Sequence, residues 1–566
     1  MKGIQFDNAS QRKTYVGAVY EIGTDAIKKQ ILSEIDPEAA DLHRSGKIHL
    51  HDLEAYGKTY NCLTLDLLKG FPFERFEQYS DSRKIMETFN YFRRMIVELA
   101  NEQSGGMGFA NFDEDISRIF KRCSLSPTDY NLITLRENIE SFIDWINNAR
   151  ERCGQVSYYV SLNLGLSEND FGRAVSKFVL EYFGNSSPEY IRPNIIFKVK
   201  SGINHDPKDP NYDLFQLALS STSRKMVPTY LLCDSAPNIN VDASKIGIMG
   251  CRTRVVQNEF GEDTTIGRGN IDYITINLPR IALEIDSMNR DSDTEERIRL
   301  FKEAWLETAN SVKLSLLDRY NRLSQLDVED FPCNSAHNLW LGDVQNCRSL
   351  NEIFKNGTLS IGFIGLSEAI EILTGKRFYE SQETCDVSLD FVRFMRQTVD
   401  RFRKENGLNF SLLATSGEYI SGRFPDLDAK LFNHPVIEKG FYTNSFHANV
   451  DSGLSPFDKI RLEGPFHILC NGGCISYVEF SSAPLTNTLA ILDIINVAVK
   501  NGVSYLGINF PVDSCLSCGQ SGVFDQCPNC GGNKIKRIRR VSGYLEDLEF
   551  FTKGKKAEVA TRRSNK

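Results

Sequence analysis

Over its first 510 residues the chain alternates helical patterns with short β-rich runs, and that alternation confines it to an α/β fold. Leu132, Leu135, Ile139, Phe142, Ile143 and Ile146 recur at helical spacing, as do Ile298, Phe301, Trp305, Ala309, Val312 and Leu316. Both predict amphipathic helices. Ser292-Asp-Thr-Glu295 opens the second as a capping box, whose hydroxyl and carboxylate would satisfy orphan amides at the helix start. Strand-like runs cover Ile195 to Val199, Tyr273 to Leu278, Ile475 to Phe480 and Val503 to Phe510. With no internal repeat or long linker among them, residues 1–510 are expected to form one domain. After Pro511 the chain turns rich in Cys, Gly and Lys/Arg, which marks a small appended module at 511–566.

Charge and cysteine content narrow the function. The 66 basic and 74 acidic residues leave a net charge of −8, spread along the chain. That excludes a nucleic-acid coat or a membrane-surface binder. The N-terminus, Met1-Lys-Gly-Ile-Gln-Phe-Asp, has no apolar core of a signal peptide, and the longest greasy stretch, Leu489 to Val499, is interrupted by Asp493. A cytoplasmic protein with no membrane and no nucleic-acid partner is expected. Thiols stay reduced there, so the 14 cysteines are read as buried thiols, metal ligands and reactive thiols rather than as disulfides.

The strongest local signal is Cys515-Leu-Ser-Cys518 followed by Cys527-Pro-Asn-Cys530, each pair with a glycine after it (Gly519, Gly531). Two such knuckles offer four thiolates at tetrahedral spacing, which predicts a structural Zn2+. A closed four-cysteine site leaves no open position, so the metal would organise the chain and do no catalysis. The basic run Lys534-Ile-Lys-Arg-Ile-Arg-Arg540 comes next. It suits a zinc-ribbon nucleic-acid binder, but its alternating Ile535, Ile538 and Val541 equally suit a segment threading into a protein interior.

Beyond it stands Arg540-Val-Ser-Gly543-Tyr544. A radical on a backbone Cα is stabilised when it is planar and conjugated with the amide nitrogen and the carbonyl, and only glycine lacks the β-carbon that strains this arrangement. The stretch resembles the signature of glycyl radical enzymes. With the ribbon before it, the chain resembles the anaerobic (class III) ribonucleotide reductases. The resemblance implies a ten-stranded α/β barrel made of two antiparallel halves, with a finger loop at its centre and a C-terminal zinc ribbon and glycyl radical loop.

Four further stretches carry it. Gly247-Ile-Met-Gly250-Cys251-Arg-Thr reads as a hairpin tip able to reach a barrel centre. By the resemblance Cys251 is the thiyl radical that takes the ribose 3′ hydrogen; otherwise it would be a buried thiol. Ile48-His49-Leu50-His51-Asp52-Leu53-Glu54, with Asn61-Cys62 after it, matches a family stretch lining the same pocket. Two histidines on one strand face could ligate a metal, but no third ligand stands at convincing spacing. His51 and Glu54 are read as the proton-transfer groups for loss of the 2′ hydroxyl, and Cys62 as a hydrogen donor. Ile266 to Ala282 resembles the segment after the finger loop, in which an Asn is associated with formate; Asn270 is preferred to Asn277 because it lies on the Gly-flanked part, and a plain turn residue is the alternative. Phe441-Tyr-Thr443-Asn444-Ser445-Phe-His447 offers donors of the kind that hold phosphate or ribose oxygens, so Thr443, Asn444 and Ser445 are assigned to substrate. Cys123, Cys153, Cys233, Cys333, Cys347, Cys385, Cys470 and Cys474 are read as packing.

The implied reaction begins with a separate iron–sulfur, S-adenosylmethionine-dependent activase that removes a hydrogen from Gly543. Cys251 and Cys62 then act on a ribonucleoside triphosphate, formate is oxidised to carbon dioxide, and a 2′-deoxyribonucleotide is released. Deoxynucleotide or ATP effectors and a homodimer are implied as well. The HLHD segment starts at residue 49, so an N-terminal ATP-cone and its dATP shut-off are not expected. Rival readings are another glycyl radical enzyme, of formate-lyase or dehydratase type, and the zinc-ribbon nucleic-acid binder. The chain has no Cys-Cys pair of the sort that pyruvate formate-lyases carry.

Overall fold

The structure, a computed structural model, describes residues 14–289, 291–540 and 542–565. The expected features at Met1 to Asp7 and at Val541 lie outside the described residues. Ten strands form one path: Cys62–Leu65 (β1), Met107–Phe109 (β2), Val160–Leu164 (β3), Asn194–Val199 (β4), Thr229–Leu232 (β5), Gly269–Asn277 (β6), Thr358–Ile364 (β7), Asn409–Ala414 (β8), Ser476–Glu479 (β9) and Tyr505–Asn509 (β10). Their order is β8-β7-β6-β1-β2-β3-β4-β5-β10-β9.

β1 to β5 are mutually parallel. So are β6 to β8, and so are β9 and β10. The two sets meet antiparallel at β1/β6 and at β5/β10. The ends close where Ala414 N donates to Gly473 O (3.1 Å) and Gly472 N to Leu412 O (2.9 Å). The expected ten-stranded barrel of two antiparallel halves is therefore present. β7 and β8 are buried at every position, as parallel strands are when both faces are covered.

Helices supply the outer cover. The periodic segments form Asp129–Asn148 and Thr294–Ser324. In the second, Phe301, Trp305, Ala309, Val312 and Leu316 are all buried, the large apolar ones stabilising by about 1.5–3 kcal/mol each. Its cap differs from the expected box. Asp293, not Ser292, takes the N-cap position, its carboxylate accepting from Glu296 N at 2.8 Å. A carboxylate also gains from the positive end of the helix dipole, which a hydroxyl does not.

The C-terminal segment carries its own small antiparallel sheet of Val512–Cys515, Ser521–Gly522, Ile535–Arg540 and Leu545–Asp547. The basic run is thus a strand, with Lys536, Arg537 and Arg539 paired to Glu189, Asp525 and Asp513, and Arg540 buried. Among the described residues no helix is long and apolar enough to cross a membrane.

Candidate active site

The hairpin is where the sequence places it. Met249 N donates to Thr253 O (3.1 Å), and Cys251 sits at the tip after Gly250, whose φ is +61°. Glycines of the barrel wall admit it: a Cβ on Gly106 would stand 2.8 Å from Gly250 Cα, and one on Gly108 2.8 Å from Met249 Cβ. Both halves hold it. Asn163 Nδ2 donates to Ile248 O (2.9 Å), Ser161 Oγ to Gly250 O (3.0 Å), and Arg252 to the Tyr477 hydroxyl (3.2 Å).

β6 gathers the N-terminal motifs. Cys62 lies opposite Asn270 on it, while the short strand Ile48–Leu50 pairs farther along, His49 opposite Thr275. His51 stacks on Tyr273, ring centroids 3.9 Å apart, with Nε2 2.9 Å from Thr275 Oγ1. Arg319, from the long helix, donates to His51 O (2.7 Å) and pairs with Asp272. Cys62 Sγ donates to Asn61 Oδ1 (2.8 Å) and accepts from Gly106 N (3.2 Å). Burial pushes the Cys62 thiol up, and the Gly106 N–H offsets only part of that. Cys62 therefore stays S–H, the form that carries a hydrogen atom.

Gly543 meets the fingertip. A Cβ on it would lie 1.7 Å from the Cys251 carbonyl oxygen and 2.4 Å from Cys251 Cα, so no residue with a side chain fits. Arg540 fixes the loop: Nη1 donates to Gly543 O (3.1 Å), Nε to Asn509 Oδ1 (2.6 Å) and Nη2 to Met226 O (2.6 Å). On the other flank the helix Lys553–Thr561 docks backbone to backbone, since a Cβ on Gly554 would come within 2.5 Å of Gly422 Cα.

Cys62 and Cys251 line one cleft together with His51, Asp52, Glu418 and Tyr544. Glu418 is the residue that sequence reasoning missed. It is buried and accepts from Ser542 Oγ (2.8 Å) and from the Tyr544 hydroxyl. Burial, then the Glu418 charge, pushes Tyr544 up, so its hydroxyl keeps the proton it donates. The available signal was position: Glu418 follows the C-terminal end of β8, where barrel folds place reactive side chains.

Other assignments fall elsewhere. Glu54 does not line this cleft; the turn Leu53–Ala55 carries it away, and it pairs with Lys28 (3.1 Å) beside a separate groove with Tyr20 and Arg152. Asn270 belongs to β6 rather than to a loop, and its amide is buried 2.9 Å from both Thr358 Oγ1 and Ser360 Oγ, off the cleft. Asn277 caps the following helix. Thr443 Oγ1 donates to Glu368 (2.6 Å), and Asn444 Oδ1 accepts from Gly417 N (3.0 Å) and Lys555 Nζ (3.1 Å). Both line a second polar cleft with Lys459 and Arg540, and Ser445 lines neither. Among the described residues, His49 and His51 join no group of three converging ligand atoms.

The four knuckle cysteines converge. Cys515 and Cys530 Sγ are 3.6 Å apart, Cys518 and Cys527 3.5 Å, and all four lie within 4.8 Å of one another. A disulfide would need about 2.05 Å, whereas a tetrahedral metal separates its sulfurs much as observed. Gly519 and Gly531, at φ of 76° and 71°, turn each knuckle back. The Ser517 N–H, then that of Cys518, holds the Cys515 thiol below its ordinary value.

Residues 7–564 match the family model described as anaerobic ribonucleoside-triphosphate reductase. The chain belongs to that family. It is 30% identical to the anaerobic ribonucleoside-triphosphate reductase of Escherichia coli (strain K12), over 93% of this chain and 78% of that protein. Against the enzyme of Enterobacteria phage T4 it is 27% identical, over 99% and 97%. An anaerobic ribonucleotide reductase structure superposes with a TM-score of 0.73 at 16% identity, covering 96% of this chain and 88% of that one. A hydroxyproline dehydratase from Clostridioides difficile shares the fold at a TM-score of 0.59 and 10% identity, covering 95% and 84%. The family's reaction, reduction of ribonucleoside triphosphates to 2′-deoxyribonucleoside triphosphates by glycyl radical chemistry, is that of this chain.

Proposed function

We propose that the radical is stored on Gly543 and passes to Cys251. The contact between the two carries the reading: Gly543 is packed on the Cys251 backbone so closely that nothing but glycine fits. A radical S-adenosylmethionine activase is the partner that removes the Gly543 hydrogen. Cys251 then gives its S–H hydrogen to Gly543 Cα, and the thiyl takes the ribose 3′ hydrogen. The Glu418 carboxylate, fixed by Ser542 and Tyr544, accepts the proton of the 3′ hydroxyl. His51 and Asp52 line the same cleft with Cys62 and assist the 2′ hydroxyl to leave as water. Cys62 supplies a hydrogen to C2′ and takes the formate hydrogen in its place; the electron left on the formate carbon, with the proton held by Glu418, reduces the 3′ ketone to a radical, to which Cys251 returns the 3′ hydrogen. Two electrons are needed, and formate supplies them on becoming carbon dioxide. Formate rests on the family resemblance, since the Asn270 side chain, although its backbone pairs with Cys62, is buried off the cleft.

The enclosed barrel suits this chemistry because a radical exposed to solvent is quenched. Zn2+ is the metal the four-cysteine cluster fits, and it would brace the strand that leads to Gly543. The separate large and four-stranded C-terminal sheets support a division into a catalytic barrel, 1–510, and a C-terminal module, 511–566. Asn444 ties Gly417 to Lys555, which supports a role for the Thr443 to Ser445 run in holding the Glu418 segment and the C-terminal helix rather than in touching substrate. One solved relative, from Thermotoga maritima, is described in complex with dATP and CTP. Nucleotide effectors, a homodimer and a cytoplasmic setting are proposed here by that kinship. The paired basic run argues against nucleic acid as ligand.

The test is anaerobic activation followed by turnover with each ribonucleoside triphosphate and isotopically labelled formate. Labelled carbon dioxide should appear mole for mole with deoxynucleotide. Turnover with a small dithiol protein and no formate would overturn the choice of reductant.

A further inference from the structure

Among the described residues a second group of metal-ligand side chains converges outside everything above: Glu98, Cys333 and His337. Cys333 and His337 stand four residues apart on the short helix Pro332–His337, hence on one face. Glu98 comes from the last turn of the helix Asp81–Leu99. The three ligand atoms lie within 4.8 Å of one another, and His337 Nε2 is 3.7 Å from Glu98 Oε2. Bond lengths of about 2.0–2.3 Å put tetrahedral ligand atoms roughly 3.3–3.8 Å apart, so only a small closure of side chains is needed.

A second observation concerns the imidazole itself. The Tyr91 hydroxyl has one proton, which it donates to Gly70 O at 3.1 Å, and it lies 3.0 Å from His337 Nδ1. In the tautomer with hydrogen on Nδ1 the hydroxyl accepts from it, and the Nε2 lone pair faces Glu98 and Cys333, as in ligating histidines held through their other nitrogen.

The scaffold is set before any ion arrives. A Cβ on Gly70 would lie 1.8 Å from His337 O, and the Asn334 side chain donates to Glu102 Oε2 (2.7 Å) and Tyr60 Oη (2.8 Å). Cys333 is buried while Glu98 is exposed, so a fourth position faces water.

We propose that Glu98, Cys333 and His337 bind a divalent cation of the zinc class, with a water as fourth ligand, independently of the four-cysteine cluster. On binding, the Cys333 thiol releases its proton to solvent and the thiolate joins the metal. The ion would clamp the helix Pro332–His337 to the helix Asp81–Leu99. The segment that follows packs Trp340 against Gly269, beside Cys62, so the clamp bears on the barrel wall.

The test uses the full chain, stripped with chelator and titrated anaerobically with Co2+, followed by absorption and by bound metal per chain. Two equivalents are expected, one with the intense thiolate-to-cobalt band of four sulfurs and one with a weak band of a single sulfur. Glu98→Gln and His337→Gln should each lose the second equivalent and keep the first. Because Cys333→Ser alters a buried position, the exposed Glu98→Gln decides. Binding of one equivalent by the unaltered chain, or of two by both variants, would overturn the site; in the latter case the second ion is adventitious surface metal.

Discussion

The cleft and the knuckle module set the same side chain in different surroundings. Cys62 is buried against one N–H donor and gives its own proton to Asn61, so burial dominates and the thiol is kept. Cys515 has two N–H groups, of Ser517 and Cys518, aimed at its sulfur and three further sulfurs beside it. Its thiolate is favoured. Hydrogen-atom transfer needs S–H and metal ligation needs the thiolate, so a sulfur buried with little compensation suits the first role and one that gathers N–H donors or a cation suits the second. A cysteine's surroundings, not its spacing alone, decide which chemistry it does.

The hardest test of the cleft side is Gly543→Ala. The added methyl has no room against Cys251, so the organic radical should vanish from the electron paramagnetic resonance spectrum, and with it all turnover and the cleavage at Gly543 that oxygen causes in an activated chain. A normal radical signal would break the comparison at its root.

Cys251→Ser and Cys62→Ser should then part company. Both should keep the Gly543 radical and lose deoxynucleotide formation, by on the order of 10³-fold or more if each is essential to the step it carries. Only Cys62→Ser should still exchange the 3′ hydrogen, seen as loss of 3′ tritium from labelled substrate. Exchange in Cys251→Ser would reassign the fingertip.

Glu418→Gln should lower kcat by about 10²–10⁴-fold, the usual range for a lost general base, with the radical retained. By contrast Glu54→Gln should leave kcat within twofold, since a partly exposed ion pair with Lys28 is worth only ~0–1 kcal/mol. Equal effects of the two would mean that the cleft opens differently when substrate binds.

On the knuckle side, Cys527→Ser should remove one bound metal per chain and cut the radical yield several-fold, while Cys251 still reacts in chains that are activated. Metal content measured beside spin count checks this. Unchanged spin with the metal gone would make the module dispensable for placing Gly543.

The periodic helices, the runs that became β4, β9 and β10, the four converging cysteines and the fingertip could all be read from order and spacing along the chain, because each depends on neighbours a few residues away. β6 began earlier than its apolar pattern, at Gly269, because the finger's exit places small and polar residues inside a strand. Its length is what puts Asn270 out of the cleft and Cys62 into it. Glu54 was misplaced for a related reason: a single turn after Asp52, which sits at φ 44°, redirects the chain.

The sequence by itself determined the α/β class, the four-sulfur cluster and the pairing of a fingertip cysteine with a C-terminal glycine. Only the tertiary structure decided that Glu418 joins Asp52 in the cleft, and that Cys333, read as packing, stands with Glu98 and His337. Those residues meet through barrel closure and helix docking across long separations. A carboxylate or thiol acquires its role from the groups folded around it, and these are not its neighbours in the chain.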